Sequence, residues 1–366
     1  MLEVASRPRL RDPVLEPIWE KVQAGVRLDI DDGLHCLGTR DLLGLGQIAD
    51  WAARQKSDDR VYFTLNVQVN PTNICVLSCK FCDFAAKVGD AHAYEHSIEQ
   101  ILEQIHPEVH EVHMVGGHHP TIPFEWYEDL LRTIKRERPS VQIKAFTAAE
   151  IDYFHKRWKI SEREIFERLL AAGLESMPGG GAEVFSERVR RTLFRGKAGA
   201  DRWMEIHHLA HSMGIRSNAT LLYGHIETHE ERVEHLIRLR EGQDVSGGFF
   251  CFIPLEYQLG TTNLTPRQAS SLDDLRTLAT ARLILDNFPH VKAYWVMSGE
   301  DTASIGLNFG ADDLDGTIGT ERIAHAALAA SPLGLARERL VHLIKSAGKV
   351  PVERNATYEV MRVYDA

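Results

Sequence analysis

The sequence predicts an α/β fold, a (β/α)8 barrel with a helical N-terminal extension. Three observations lead there. Short β-branched and aromatic segments alternate with amphipathic helical segments along most of the chain. At 366 residues the chain is long for one ordinary domain and normal for a barrel with extensions. Its unusual residues gather after the strand segments rather than before them, and in a parallel barrel those positions meet on one face, where substrates bind. A doubly wound sheet fits the alternation too; strand count and length favour the TIM-like barrel.

The elements follow in order. Residues 14–56 read as helical, because "PVLEPIWEKVQAGVRL" and "TRDLLGLGQIADWAARQ" carry apolar residues at helical spacing. They form the extension, residues 1–58, and the barrel spans 59–330. Its first strand is "VYFTLNVQV" (61–69). "SIEQILEQIHP" is a helix opened by the capping box Ser97-x-x-Gln100. "EVHMVGG" is a strand, "FEWYEDLLRTIKRER" a helix and "VQIKAFT" a strand. "SEREIFERLLAAG" is a helix with Gly173 as its C-cap. "LESMP" is a short strand before helices near 183–194 and 200–213. "RSNATLLYG", "GGFFCFIP" and "VKAYWVM" are strands, separated by the helices "HEERVEHLIRLREGQ" and "LDDLRTLATARLILDNF". Short βα pieces end the chain, and residues 331–366 form a C-terminal extension packed on the barrel.

Composition narrows the function classes. Hydrophobic residues make up 44%, a globular value. Lys+Arg 42 against Asp+Glu 52 gives a net charge of −10, which argues against nucleic acid or an anionic membrane as partner. A small anionic substrate remains compatible, because a pocket can be locally basic. "MLEVASRPRLRDPVLEP" has no apolar signal region and no run of 18 apolar residues exists. Five cysteines, three of them clustered, do not make a disulfide framework. The expected location is the reducing cytoplasm.

The three clustered cysteines lie in "NICVLSCKFCDF" (73–84), where Cys75, Cys79 and Cys82 are spaced C-x3-C-x2-C. Thiolates favour zinc, copper(I) or iron–sulfur clusters. Structural zinc usually shows two ligand pairs. Here Cys36 and Cys251 are isolated and read as small buried hydrophobes. His92 or His96 would complete a zinc site, so a zinc-stabilised, non-catalytic binding protein is one alternative. Three cysteines on a [4Fe–4S] cluster would leave one iron open to a small chelating molecule.

This spacing, with Phe81 before the last cysteine, resembles the signature of the radical S-adenosylmethionine (SAM) superfamily. The resemblance implies that Cys75, Cys79 and Cys82 hold a [4Fe–4S] cluster. The amino and carboxylate groups of SAM would chelate the open iron, and SAM would be consumed as a substrate. One electron, from a donor such as flavodoxin or ferredoxin, would cleave SAM to methionine and a 5′-deoxyadenosyl radical. "GGHH" (116–119) stands where the superfamily carries a Gly-Gly-Glu-like motif touching the methionine amino group, with His118 in the acidic position.

"VQVNPTNICVLSCKFCDFA", "QIKAFTAAEI", "SMPGGGAEVF", "NATLLYGHIET", "FIPLEYQLGTTNL" and "GADDLDGTIGTERIAHAA" together resemble the menaquinone (futalosine) branch of that superfamily, from about residue 30 onward. Its aminofutalosine synthase family is the most similar; dehypoxanthine futalosine cyclases and deazaflavin-forming FO synthases are the alternatives. The resemblance implies addition of the radical to a carboxylated aryl enol ether, 3-[(1-carboxyvinyl)oxy]benzoate. Aryl migration and decarboxylation then give 6-amino-6-deoxyfutalosine.

Candidate residues follow from these motifs. Gly116, Gly117, His118, Glu150, Asn218, Tyr223 and Glu227 are candidates for SAM. His118, His119 and His225 are candidates for proton transfer, because imidazole titrates near pH 7. Arg216, Lys144, Asn218, Thr220 and the histidines His118, His119 and His225 are candidates for the substrate carboxylates. Structural roles stand beside each: a tight turn for Gly116-Gly117, a helix-entry loop for Gly179–Gly181, N-cap service for Glu150 and a first-turn acid for Glu227.

Overall fold

The structure is a computed structural model that describes residues 7–365. Eleven strands form one sheet: β1 Arg60–Phe63, β2 Asn66–Val69, β3 Glu111–Met114, β4 Gln142–Ala145, β5 Ser176–Met177, β6 Arg216–Tyr223, β7 Phe249–Glu256, β8 His290–Ala293, β9 Asp313–Leu314, β10 Val350–Arg354 and β11 Val360–Val363. Their order is β11-β10-β1-β9-β8-β7-β6-β5-β4-β3-β2. Every pairing is parallel except β10 with β11.

The sheet curls until β2 meets the chain just beyond β9. Asn66 bridges Thr317 in parallel. Its N–H donates to the Gly316 carbonyl at 3.1 Å, and its carbonyl accepts from the Ile318 N–H at 3.0 Å. Eight parallel strands, β2 to β9, therefore make the barrel, and β1, β10 and β11 continue the sheet outward from β9. Gly316 permits this seam, because a Cβ there would lie 1.7 Å from the Thr64 carbonyl oxygen.

Three elements differ from the sequence reading. The expected strand 61–69 is two strands: β1 pairs with β9 and β10, and β2 opens the barrel. Thr64 and Leu65 turn between them, a break without Gly or Pro to mark it. "VKAYWVM" stops being a strand at Ala293, and Trp295–Ser298 is a helical turn with the indole donating to the Asp315 carbonyl at 2.8 Å. "TAAE" opens a helix, Ala148–Trp158, capped by Thr147 and Glu150. The capping box at Ser97 and the left-handed Gly173 cap form as expected.

The helices Leu15–Gln23, Ile30–Gly38 and Leu42–Ser57 pack on one side of the barrel. Gly33 sits against Val233 and Ile284, and Gly46 against Phe309, so side-chain-free spots let the two helix layers approach. The apolar core is continuous through both layers. No helix among the described residues is long and apolar enough to cross a membrane.

Residues from β10 and the turn after it close the N-terminal end of the barrel. Arg354 reaches Asp313 at 2.6 Å and lies 3.6 Å above the Tyr358 ring. The Tyr358 hydroxyl donates to Asp313 at 2.8 Å, and the ring stacks on His290 at 4.2 Å. Above this plug the barrel interior is polar at alternate strand positions, as the two-residue period requires. Lys144 of β4 pairs with Glu111 of β3 at 2.6 Å, and Lys292 of β8 pairs with Asp313 at 3.0 Å.

Gly316→Val should force the seam open. We expect a loss of about 1–3 kcal/mol from overpacking, read as a lower midpoint in chemical denaturation. An unchanged midpoint would show that the seam does not need the glycine.

Candidate active site

The cysteine loop follows β2 and folds back over the C-terminal end of the barrel. The Cys75 N–H donates to the Ala86 carbonyl at 2.9 Å, and the Ala86 N–H to the Asn73 carbonyl at 2.8 Å. The Lys87 ammonium donates to the carbonyls of Cys75 at 2.8 Å and Leu77 at 2.5 Å. Asp83 accepts from the Thr261 N–H at 2.9 Å, which ties this loop to the one after β7.

The segment after β3 is stitched to the same loop. The Gly117 N–H donates to the Thr72 carbonyl at 2.8 Å, and the Val76 N–H to the His118 carbonyl at 3.0 Å. A Cβ on Gly117 would lie 2.2 Å from the Ile74 carbonyl oxygen. The glycine therefore serves the approach of two backbones, whatever ligand lies beside it. Gly179 and Gly181 act similarly: a Cβ would lie 2.6 Å from the Ala219 Cα and 2.9 Å from the Ala149 Cβ.

Cys75, Cys79 and Cys82 open into one cavity of about 290 Å3. Its apolar walls include Leu77, Phe81 and Phe84, and its floor is formed by Gln68, Glu111, His113, Lys144, Lys292 and Asp315 inside the barrel. Burial pushes the Cys79 thiol up to about 11 and the Cys82 thiol upward. The Lys197 ammonium beside them pulls both back toward thiolate. Lys197 is held by Glu183 at 2.5 Å and lies 5.2 Å from the Phe81 ring centre. Among the described residues no three His, Cys, Asp or Glu side chains group as ligands of a single metal ion.

Of the residues singled out in the sequence, Gly116, Gly117, His118, Lys144, Glu150, Asn218 and Thr220 line this cavity. Glu150 takes its N-cap role and adds another. One carboxylate oxygen accepts from Thr147 N–H and hydroxyl at 2.8 Å each, and the other from the Gly116 N–H at 3.1 Å. Burial lifts its pKa to about 7. His118 stacks on Tyr153 at 4.9 Å, and its buried Nδ1 has no partner. Burial and then Lys197 hold its pKa down to about 3, so it is neutral at pH 7. The Asn218 Oδ1 is also buried without a partner, while the Thr220 hydroxyl donates to the Gly179 carbonyl at 2.8 Å.

His119, Tyr223, His225, Glu227 and Arg216 do not line it. His119 bonds to Glu95 at 2.9 Å and accepts from the N–H groups of Thr121 and Ile122. Tyr223 donates to Asp274 at 2.7 Å. Glu227 accepts from the N–H groups of Gly224 and His225 at 2.6 and 2.9 Å and pairs with Arg232 at 2.6 Å. His225 accepts from the Ile226 N–H at 2.7 Å, within the same turn. Arg216 is exposed at the opposite end of β6. His92 and His96 are absent from the lining, as are Cys36 and Cys251.

Sequence reasoning missed Gln68, Glu111, His113, Lys197, Glu256 and Lys292, all of which line the cavity. A signal existed for most of them. "NVQV", "EVHM", "QIKA" and "HVKA" place polar residues at alternate positions of strands that should be apolar inside a filled barrel. Glu256 stands out in addition: burial and then Asp274 raise its pKa to about 8, and Gln268 donates to it at 2.7 Å.

Comparison with known proteins agrees with this geometry. The radical SAM superfamily matches residues 69–239, and the CofH/MqnC C-terminal region matches residues 246–366. The chain is 46% identical to aminodeoxyfutalosine synthase of Thermus thermophilus, over 97% of this chain and 98% of that protein. It is 35% identical to cyclic dehypoxanthine futalosine synthase of Streptomyces coelicolor, over 96% and 90% of the two chains. The crystal structure of methylornithine synthase superposes with a TM-score of 0.72 at 18% identity, over 91% of this chain and 97% of that one, which supports the barrel fold alone. The chain belongs to the radical SAM superfamily, in the family that includes the aminodeoxyfutalosine synthases.

Proposed function

We propose that this protein is an aminodeoxyfutalosine synthase, which joins the adenosyl part of SAM to 3-[(1-carboxyvinyl)oxy]benzoate and yields 6-amino-6-deoxyfutalosine. One observation carries the reading. The three thiols, the Gly116–His118 segment and the polar strand residues of the barrel all face a single cavity, in a chain 46% identical to such an enzyme over nearly its full length.

The donor set fits a [4Fe–4S] cluster. Three thiols converge on one space, the buried Lys197 ammonium favours the anionic form of Cys79 and Cys82, and the remaining cysteines lie elsewhere. Cys75, Cys79 and Cys82 would hold the cluster. When bound, the cluster and SAM supply the 5′-deoxyadenosyl radical, with the electron coming from an external reductant such as flavodoxin or ferredoxin.

The chain's own residues bind, orient and exclude. Leu77, Phe81 and Phe84 form an apolar wall beside the thiols. Glu150 fixes Gly116 from one side and Thr72 fixes Gly117 from the other, so the segment that would face the methionine end of SAM cannot drift. The Asn218 Oδ1, an acceptor, and the His118 Nδ1 are buried without a protein partner and are available to a polar ligand. Confinement matters because a primary alkyl radical takes hydrogen from almost any neighbour. The reducing cytoplasm suits three thiols that must stay unpaired.

Cys75→Ser, Cys79→Ser and Cys82→Ser should each lower iron and sulfide content after anaerobic purification and abolish SAM cleavage. Cys36→Ala and Cys251→Ala should keep both. Stoichiometric zinc with no iron would instead support the zinc-stabilised binding protein.

Gly117→Ala should displace the cysteine loop through the Ile74 carbonyl and reduce iron content at least severalfold. Full iron content in that variant would place the glycine's role in ligand contact alone.

Product analysis decides between adding and abstracting chemistry. Anaerobic reaction of isotope-labelled SAM with the enol ether should place the adenosyl carbons in a nucleoside that also contains the aryl ring, with release of carbon dioxide. Stoichiometric free 5′-deoxyadenosine without that adduct overturns the assignment, and turnover of dehypoxanthine futalosine would favour the cyclase.

A further inference from the structure

Every lysine that lines the cavity is already matched to a carboxylate. Lys144 pairs with Glu111 at 2.6 Å, Lys197 with Glu183 at 2.5 Å and Lys292 with Asp313 at 3.0 Å. No arginine among the described residues lines it. A substrate with two carboxylates therefore meets no spare cation. Burying an unmatched carboxylate is costly, and proteins commonly restore the balance by moving a proton.

The floor has one group placed to take that proton. His113 stands on β3, in register with Gln68 of β2 and Lys144 of β4. Its side chain keeps 22% of its surface open and lines the cavity. Its Nδ1 lies 4.0 Å from Glu111 Oε1. The charged groups around it are Glu111 on its own strand, Lys144 on β4, Lys292 on β8 and Asp315 beyond β9; β2 offers only neutral Gln68. Two cations and two carboxylates balance. With only these around it, burial and then Lys144 hold the imidazole down to about 4, so it is neutral at pH 7. An arriving carboxylate tips the set to net negative and favours the imidazolium. His118, the other histidine in the cavity, is a poorer seat, because it stacks on Tyr153 and faces Lys197.

We propose that His113 is the counter-ion of one substrate carboxylate and takes up a solvent proton as that carboxylate reaches the barrel floor. No bond of the substrate breaks in this step. The inference rests on the function proposed above. The sign is fixed: a group whose pKa rises on binding makes binding tighter below the raised value and weaker as pH climbs toward it.

Calorimetry tests this on the anaerobic holoenzyme with SAM present and reductant withheld, so that no turnover occurs. Titration with the enol ether in buffers of different ionisation enthalpy counts the protons exchanged. About one proton should be taken up near pH 7, and affinity should fall by up to about tenfold per pH unit between roughly pH 6 and 8, where both substrate carboxylates stay ionised. His113→Asn should keep iron content and SAM affinity, weaken substrate binding about tenfold or more at low pH and remove both the proton uptake and the slope. His113→Lys should restore affinity without the slope. Wild-type binding without proton uptake, or undiminished uptake in His113→Asn, overturns the assignment even if the adenosyl–aryl adduct forms. Failure to form the adduct overturns the functional reading itself.

Discussion

Asp313 is the carboxylate around which the barrel is organised. It is fully buried at the start of β9, and it meets Arg354 from β10, Lys292 from β8 and the Tyr358 hydroxyl. Arg354, Lys292 and then His290 hold its pKa down to about 2 against the pull of burial. Removing one partner of such a pair leaves an uncompensated buried charge, at a cost of about 3–5 kcal/mol. The strand pairings β8–β9 and β1–β10 and the plug at the barrel's N-terminal end thus share one electrostatic constraint. A polar interior is what makes the constraint necessary. A barrel filled with Val, Ile and Leu would need no plug of this kind, and would have no room for a dicarboxylate.

At the other end of the barrel, position is set by bonds to backbone groups rather than by pairing of buried charges. The cysteine loop is held through carbonyls and N–H groups: Thr72 to Gly117, Val76 to His118, and Lys87 to the carbonyls of Cys75 and Leu77. Thiol placement therefore does not depend on how the cysteines themselves are packed. The arrangement divides the labour cleanly. Backbone contacts fix the thiols, a buried carboxylate at Glu150 fixes the segment beside them, and paired side chains below leave the middle of the cavity for ligands.

Much of this was legible in the sequence, and the gaps have physical causes. Cysteine spacing is local, so Cys75, Cys79 and Cys82 could be read at once. The βα rhythm gave the barrel, because amphipathic periods also are local. The two-strand character of 61–69 was not legible: its break at Thr64-Leu65 comes from long-range pairing with β9 and β10, not from a turn residue. The histidines illustrate the same limit. His119 and His225 sit in polar loops beside catalytic-looking neighbours, yet each Nδ1 accepts from an adjacent N–H and each Nε2 donates, to Glu95 and to the Leu222 carbonyl respectively. His113, in the middle of a strand, carries no loop motif to single it out and faces the cavity. Lys197 could not be found at all, since only the fold brings the segment after the Glu187–Leu193 helix against the cysteine loop.

One barrel in this family serves several chemistries. Relatives named for different reactions align with this chain over more than nine-tenths of its length. In the proposed function the cysteine loop and its backbone ties serve a step common to radical SAM enzymes, so they do not select the substrate. Selection must come from side chains that meet the part of the substrate away from the thiols. Those are the alternating polar residues of the strands, which lie on a rigid scaffold and can change one at a time without moving the loop above. A change there alters which ligand charge is matched and which carbon stands near the adenosyl group. At near-attack separations of roughly 3–3.5 Å, a shift of about 1 Å alters rates strongly. Under the two proposals, charge matching at the floor and choice of reaction at the top are linked through the length of the substrate.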